Sequence, residues 1–431
     1  MNASLWVTGL KNVIYLNNNT YLDSYISLAG NGLSSSFYNN NGPLTEYGSV
    51  DEQMKMAIRS GITFNKKLNS QNKIETGLIS SRLAYDFNQT YTNNDVTTLA
   101  VDENGNAFLH QFFFSWKYRM NENLTIVSGV HNTLFSLNKE FVPEPRLSLR
   151  WNVSAGKSLY FGTGMYSRPH SLPNYFVKTE NPDGTFSTPN TDLKMTRAVH
   201  LVGGYDWSVS QNLFLNITAY YQYLYHVPVE NDPTSNRSLV NLTGYFDDRD
   251  FVSEGTGRNY GLELTLERYL DNHFYYLMTG SLYNSLYSAL DGTEYNTRWN
   301  GNYVFNALGG KEFVFNKKEK REKTLGVNLK VSLQGGNRYN PINLAESQLQ
   351  TAMIRYENPP FVERGDNIFL MNMGLSYKVN RPKSTREWKL EILNVTNHSA
   401  KIDEYYAPWT QDIVEAKQWS LLPNIIYRVQ F

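Results

Sequence analysis

The sequence predicts an all-β transmembrane fold, an antiparallel up-and-down barrel. Three observations predict it. Runs with alternating apolar and polar residues fill the chain. The links between those runs alternate between short and long. The chain ends flush with an alternating strand whose last residue is Phe431.

The alternation is regular. Tyr260, Leu262, Leu264 and Leu266 alternate with Gly261, Glu263, Thr265 and Glu267. Phe112, Phe114, Trp116 and Tyr118 alternate with Phe113, Ser115, Lys117 and Arg119. From Phe369 to Val379 and from Trp388 to Ile392 the same period holds. Period two over such lengths means a strand with a different solvent on each face. Many runs are about ten residues or longer, as a tilted membrane strand requires.

Composition agrees. The chain of 431 residues carries 31 Tyr, 22 Phe and 8 Trp, rings that suit a membrane interface. Mean hydropathy is nevertheless −0.49, and no apolar run reaches the roughly 18 residues of a membrane helix. A membrane protein is polar on average when half its strand residues face a wet lumen. Lysine plus arginine and aspartate plus glutamate both number 40, so net charge gives no case for nucleic acid. With no cysteine, disulfides and thiolate metal sites are excluded.

Short polar links fall near 17–19, 66–72, 121–123, 154–157, 208–212, 270–273, 316–323 and 380–386. Long links fall near 32–52, 88–107, 138–143 (the weakest), 168–197, 227–256, 288–300, 337–365 and 398–418. Membrane barrels segregate short periplasmic turns from long extracellular loops in this way. The pattern predicts about 17 strands. The last strand then ends on the periplasmic side and the first, Leu5 to Leu16, starts on the extracellular side. An even-stranded barrel would place at least one more strand upstream.

Candidate chemistry is sparse. The seven histidines form no His-x-His or His-Glu-x-x-His pattern, so neither a metal nor a catalytic site is expected. Arg168, His170, Tyr175 and Phe176 open a long loop and are the candidates for ligand contact, since ligand sites mix aromatic walls with placed polar groups. Their plainer reading, which is preferred, is interface girdle and loop anchoring. Asp247-Asp248-Arg249-Asp250 lacks EF-hand spacing and reads as a solvated loop. The basic stretch Asn316 to Lys323 reads as a solvated turn. Gly255-Thr256-Gly257 precedes a strand, not a helix, and is rejected as a phosphate loop.

Several stretches carry a resemblance. They are His200 to Ser208, Ala219 to Leu224 and Gly255-Thr256-Gly257-Arg258-Asn259-Tyr260-Gly261-Leu262-Glu263-Leu264, the most specific. Asn300 to Asn306, Gly335-Gly336-Asn337-Arg338-Tyr339 and Asn394-Val395-Thr396-Asn397-His398 follow in order. With them, residues 1–431 resemble the C-terminal barrel part of a TonB-dependent outer-membrane receptor of the type with a carboxypeptidase-regulatory-like domain and a plug. The terminal Ile425, Tyr427, Val429 and Phe431 look like the signal by which such barrels are recognised for insertion.

The resemblance implies active import of a scarce nutrient (a siderophore, cobalamin or an oligomer) across the cell outer membrane. It implies a 22-stranded barrel, of which about 17 strands are visible here, with no plug and no signal peptide in the chain. The implied partners are outer-membrane lipid, the barrel-assembly machinery and the TonB motor complex, reached through the N-terminal part. No cofactor, enzyme activity or nucleic-acid partner is implied. The alternatives are a self-contained passive porin or a non-functional fragment.

Overall fold

A computed structural model describes residues 2–39, 47–93, 96–181, 183–244, 247–315, 321–350 and 353–431. Its main sheet has 18 strands, one of them the three-residue Glu294–Asn296; the other 17 build a continuous wall. The wall begins with β1 (Asn2–Asn17), β2 (Thr20–Asn39), β3 (Tyr47–Lys67), β4 (Asn72–Asn93) and β5 (Val96–Arg119). It continues through β6 (Leu124–Phe135), β7 (Glu140–Ser154), β8 (Lys157–Arg168), β9 (Thr196–Ser210), β10 (Leu213–Glu230) and β11 (Phe251–Asp271). It ends with β12 (Phe274–Ser288), β13 (Tyr303–Phe315), β14 (Glu322–Gln334), β15 (Ile368–Arg381), β16 (Ser384–Leu393) and β17 (Leu422–Gln430).

Every wall strand pairs antiparallel with the next. Among the described residues no ladder joins β1 to β17. Among the same residues no helix is long and apolar enough to cross a membrane, which says nothing about strands.

Register aligns the alternation from strand to strand. One face carries the pairs Ile62↔Leu78, Leu78↔Phe112 and Phe114↔Val130. The same row continues as Leu201↔Tyr221, Leu262↔Leu282, Leu375↔Leu390 and Leu390↔Ile425. These side chains are apolar yet open; Phe112 is 49% exposed and Leu282 53%. A continuous apolar belt of this extent needs hydrocarbon as its solvent. The opposite face pairs Gln111↔Thr133, Gln222↔Asn259, Asn259↔Ser285 and Asn306↔Ser332. Its ions pair across strands, as in Lys11–Asp23 at 2.8 Å and Arg150–Asp206 at 2.7 Å. A one-residue slip would exchange the two faces, so burial in lipid fixes the register.

The two ends of the wall differ. The turns at 18–19, 68–71, 120–123, 155–156, 211–212, 272–273 and 382–383 are short. The opposite end carries folded loops at 169–195, 231–250, 289–302, 335–367 and 394–421. Three of the expected long links are corrected. Over 88–93 and 96–107 the chain stays in strand, because β4 and β5 pair from Asn72↔Tyr118 up to Asn93↔Val96. Around 32–52 the strands likewise run on to Asn39 and resume at Tyr47. The link near 138–143 shrinks to 136–139. In each case cross-strand pairing continues where polar composition suggested a loop; half-wet strands tolerate such composition. Residues 316–320 of the basic stretch lie outside the described residues.

A compact apolar core sits at the long-loop end, on the polar-row side of the wall. Tyr85, Phe87, Val101, Phe135 and Val142 from the wall meet Tyr175, Phe176, Val177, Leu193 and Met195 from the loop 169–195.

Candidate functional site in the long loops

The loop 169–195 places the four residues singled out by sequence. Pro173 sets the start of a short 3-10 turn, Leu172–Tyr175, as its fixed φ favours. The turn carries Tyr175 inward, where it is wholly buried with its ring 5.7 Å from that of Phe135. Phe176 follows against Tyr85, with ring centroids 4.9 Å apart. The His170 backbone N–H donates to the Tyr175 hydroxyl at 3.2 Å, and its ring Nε2 lies 2.9 Å from the Lys194 carbonyl oxygen. Burial lowers the His170 pKa and raises that of the Tyr175 phenol. Arg168 ends β8 opposite Thr196 and is exposed. The structure therefore gathers His170, Tyr175 and Phe176 into the loop core and leaves Arg168 at its edge.

The far end of this loop is tied down as firmly. The Met195 N–H donates to Glu140 Oε2 at 2.6 Å, and Arg197 pairs with Glu140 Oε1 at 2.7 Å. Asn190 links it to the next long loop, donating to the Arg249 carbonyl and accepting from the Phe251 N–H, both at 2.8 Å. In that loop, Arg249 pairs with Glu230 at 3.0 Å, and burial pushes the Asp247 carboxyl up. Among the described residues no group of three or more His, Asp or Glu could hold a metal ion.

The loops 231–250, 289–302, 335–367 and 394–421 assemble around a cavity of about 620 Å³ that sequence reasoning missed. Asn236 donates to the Glu357 carbonyl at 2.7 Å, across 121 positions, and Arg237 pairs with the Glu357 carboxylate. Tyr287 donates to the Asn236 carbonyl at 2.7 Å, and Trp299 Nε1 to the Val240 carbonyl at 3.1 Å. Asp403 receives both Arg355, at 3.2 Å, and Arg298, at 3.6 Å. Glu404 accepts from the Ile342 N–H at 2.9 Å and pairs with Lys401 at 2.7 Å, which raises the Lys401 pKa. Burial lowers the Arg298 pKa; the Asp403 charge opposes that shift and the Arg355 charge adds to it.

Two of the quoted motifs hold this assembly together. A Cβ on Gly335 would run into the Gly301 carbonyl oxygen, and one on Gly336 into the Gly365 carbonyl oxygen. Backbone approaches backbone there, so the positions require glycine. The glycines and Asp247 were in segments the sequence had singled out, but Asp247 was read there as part of a solvated loop and instead lines the cavity half-buried.

Below the loops the polar face holds two further features. Glu144 is buried and receives Ser167 Oγ at 2.5 Å, Arg146 at 2.5 Å, His131 at 3.1 Å and Thr133 at 3.2 Å. Arg146 lies over Tyr166 at 4.5 Å, and the Tyr166 ring meets that of His200 at a tilt, with centroids 4.5 Å apart. A hollow of about 610 Å³ is lined by Gln222, Asn259, Glu263, Tyr283 and Trp299. At the other end of the wall, the Tyr427 ring lies tilted against Trp388 with centroids 4.4 Å apart, and Ile425 stands opposite Leu390. Alternation sets Ile425, Tyr427 and Val429 on the apolar face, and Phe431 is exposed beyond them.

An apolar belt outside, a polar row inside and folded loops at one end define an outer-membrane transport barrel. The chain belongs to the family described as TonB dependent receptor-like, beta-barrel, whose model matches residues 2–397. Solved structures of this kind share the fold. The ferric-catecholate import receptor Fiu of Escherichia coli K12 superposes with a TM-score of 0.67 at 10% identity, over 99% of this chain and 64% of that one. The siderophore receptor PiuA of Acinetobacter baumannii gives 0.68 at 10% identity, over 99% and 64%. The ferric yersiniabactin uptake receptor FyuA of Yersinia pestis gives 0.65 at 10% identity, over 99% and 60%. The chain thus spans just under two thirds of the length of these receptors. No curated protein matches it in sequence. The family and these neighbours are receptors of the Gram-negative outer membrane, not enzymes.

Proposed function

We propose that this chain is the ligand-selecting barrel part of a receptor that actively imports a scarce nutrient. The observation that carries the reading is the loop cavity at the mouth of a polar-faced wall. Loops that are cross-tied by side chains present a preformed site, which lowers the ordering cost of binding. A passive pore has no need of such a site. Arg168 belongs to the reading as an exposed ligand contact, with His170, Tyr175 and Phe176 holding the loop that carries it. Coupling to the TonB motor runs through a plug and an N-terminal segment of the intact receptor. Ile425, Tyr427, Val429 and Phe431 serve as the signal read by the barrel-assembly machinery.

The test is uptake by cells carrying the intact receptor, with the proton-motive force present or collapsed and with TonB present or deleted. Accumulation against a gradient that needs both supports import. Equal, gradient-following entry in all four conditions replaces the reading with a passive pore.

A further inference from the structure

We propose that the open cavity between the four loops takes an uncharged, oxygen-rich ligand rather than an iron-bearing anion. This rests on the import reading above and names the ligand class of the same site.

The charge balance of the lining is the first argument. Three guanidiniums line the cavity, from Arg237, Arg298 and Arg355, and three carboxylates, from Asp247, Glu357 and Asp403. They are spent on each other. Arg237 pairs with Glu357 and lies 3.7 Å from Asp247, while Arg298 and Arg355 share Asp403. Arg355 is further held by the Asn340 carbonyl at 2.6 Å and the Glu404 carbonyl at 2.5 Å. An anion entering this space gains no net Coulomb attraction and loses its hydration.

The remaining lining argues for neutral polar contacts. Thr243 brings a hydroxyl and Asn241 an amide, while Asn236, Ser238 and Asn340 each already hold one hydrogen bond within the loops. Tyr287, Tyr339, Phe361 and Met353 bring apolar surface. Buried Arg237 Nε, Arg298 Nε and Asp247 Oδ1 have no hydrogen-bond partner. With the buried Asn241 Nδ2, also without a partner, three unmatched donors and one unmatched acceptor suit a molecule that offers ether, carbonyl or hydroxyl oxygens together with a hydroxyl or amide proton. The volume of about 620 Å³ lies in the range of small-ligand pockets.

The chain has no cysteine, so with any cysteine elsewhere in the full receptor replaced by serine, single-cysteine labelling gives a test that needs no identified ligand. Met353 lines the cavity and is about half exposed. The full receptor carrying Met353→Cys is labelled in outer membranes with three methanethiosulfonates of similar size. One bears a sulfonate, one a trimethylammonium and one a neutral hydroxyl group. Rates are divided by those at a Thr185→Cys control, which is exposed in another loop. The expected result is open access with normalised rates differing by less than about tenfold, the neutral reagent not last. Asp403→Asn, added to Met353→Cys, is expected to raise the sulfonate rate at least about threefold over the neutral one, because it frees Arg298 and Arg355.

A preference of tenfold or more for either charged reagent overturns the proposal. So does slowing of all three reagents by about a hundredfold, or an Asp403→Asn variant with unchanged selectivity. Labelling requires neither an energised membrane nor transport. Its failure therefore leaves the import reading standing, and a failed uptake experiment leaves the labelling result standing.

Discussion

Tyr175→Ala is the sharpest test of how the loop 169–195 is held. The side chain is wholly buried against Phe135 and within the loop core. Its hydroxyl accepts the His170 N–H. Removing a buried aromatic ring costs about 3–5 kcal/mol, because transfer free energy is lost and the cavity fills only in part. The loop closes on itself and on the wall, while the wall ladders do not use Tyr175, so the loss falls on local opening. At about 1.4 kcal/mol per tenfold, loop amides should exchange with deuterium roughly two to three and a half orders of magnitude faster. Good reporters are the Phe176 N–H, bonded to the Pro173 carbonyl at 3.0 Å, and the Lys178 N–H, bonded to the Ala100 carbonyl at 2.9 Å. Tyr175→Phe keeps the ring and loses one hydrogen bond, about 1 kcal/mol, so its exchange should rise only about fivefold. The wall amides should not change in either variant. Unchanged loop exchange in Tyr175→Ala, or equal acceleration of loop and wall, would refute this reasoning.

Three further outcomes are expected. Burial lowers the His170 pKa in the folded protein, so the stability it contributes is complete above the ordinary histidine range and lost as pH falls through the folded value. Exchange at the Phe176 and Lys178 amides, corrected for intrinsic rates, should therefore rise between about pH 7.5 and pH 5. His170→Gln, whose amide N–H can still reach the Lys194 carbonyl, should flatten that rise. Leu375 stands on the apolar face opposite Leu390, so Leu375→Lys should cost about 2–4 kcal/mol of folding in lipid vesicles. Ser376→Lys, on the polar row beside Lys389, should change the folded fraction little; similar losses for both would invert the face assignment. Gly335→Ala drives a methyl group into the Gly301 carbonyl, which cannot step aside. It should loosen the loops 289–302 and 335–367 by about 1–3 kcal/mol, read as protease cleavage in whole cells, with the wall intact.

The sequence by itself determined the wall. Alternation depends only on neighbouring residues and on the two solvents a barrel strand meets, so the rows through Leu262, Leu264 and Leu266 or Trp388 and Leu390 were legible directly. Link lengths then ordered the strands, because an up-and-down meander pairs each strand with its successor. The strand count and the separation of short turns from long loops followed. The links around 88–107 and 32–52 were misjudged because strand and loop share polar composition there, and only ladder pairing separates them.

The loop site was decided by tertiary structure alone. Asn236 meets Glu357 across 121 positions, and Arg298 and Arg355 converge on Asp403, with no spacing to announce either contact. The same holds for Tyr175, whose aromatic ring at the start of a long loop fits a ligand wall and a loop anchor equally well until its neighbours are known. A strand's solvent is written in its period. A loop's partners are set by the pairing of successive wall strands, which brings distant segments to one rim, and local sequence carries no record of that meeting.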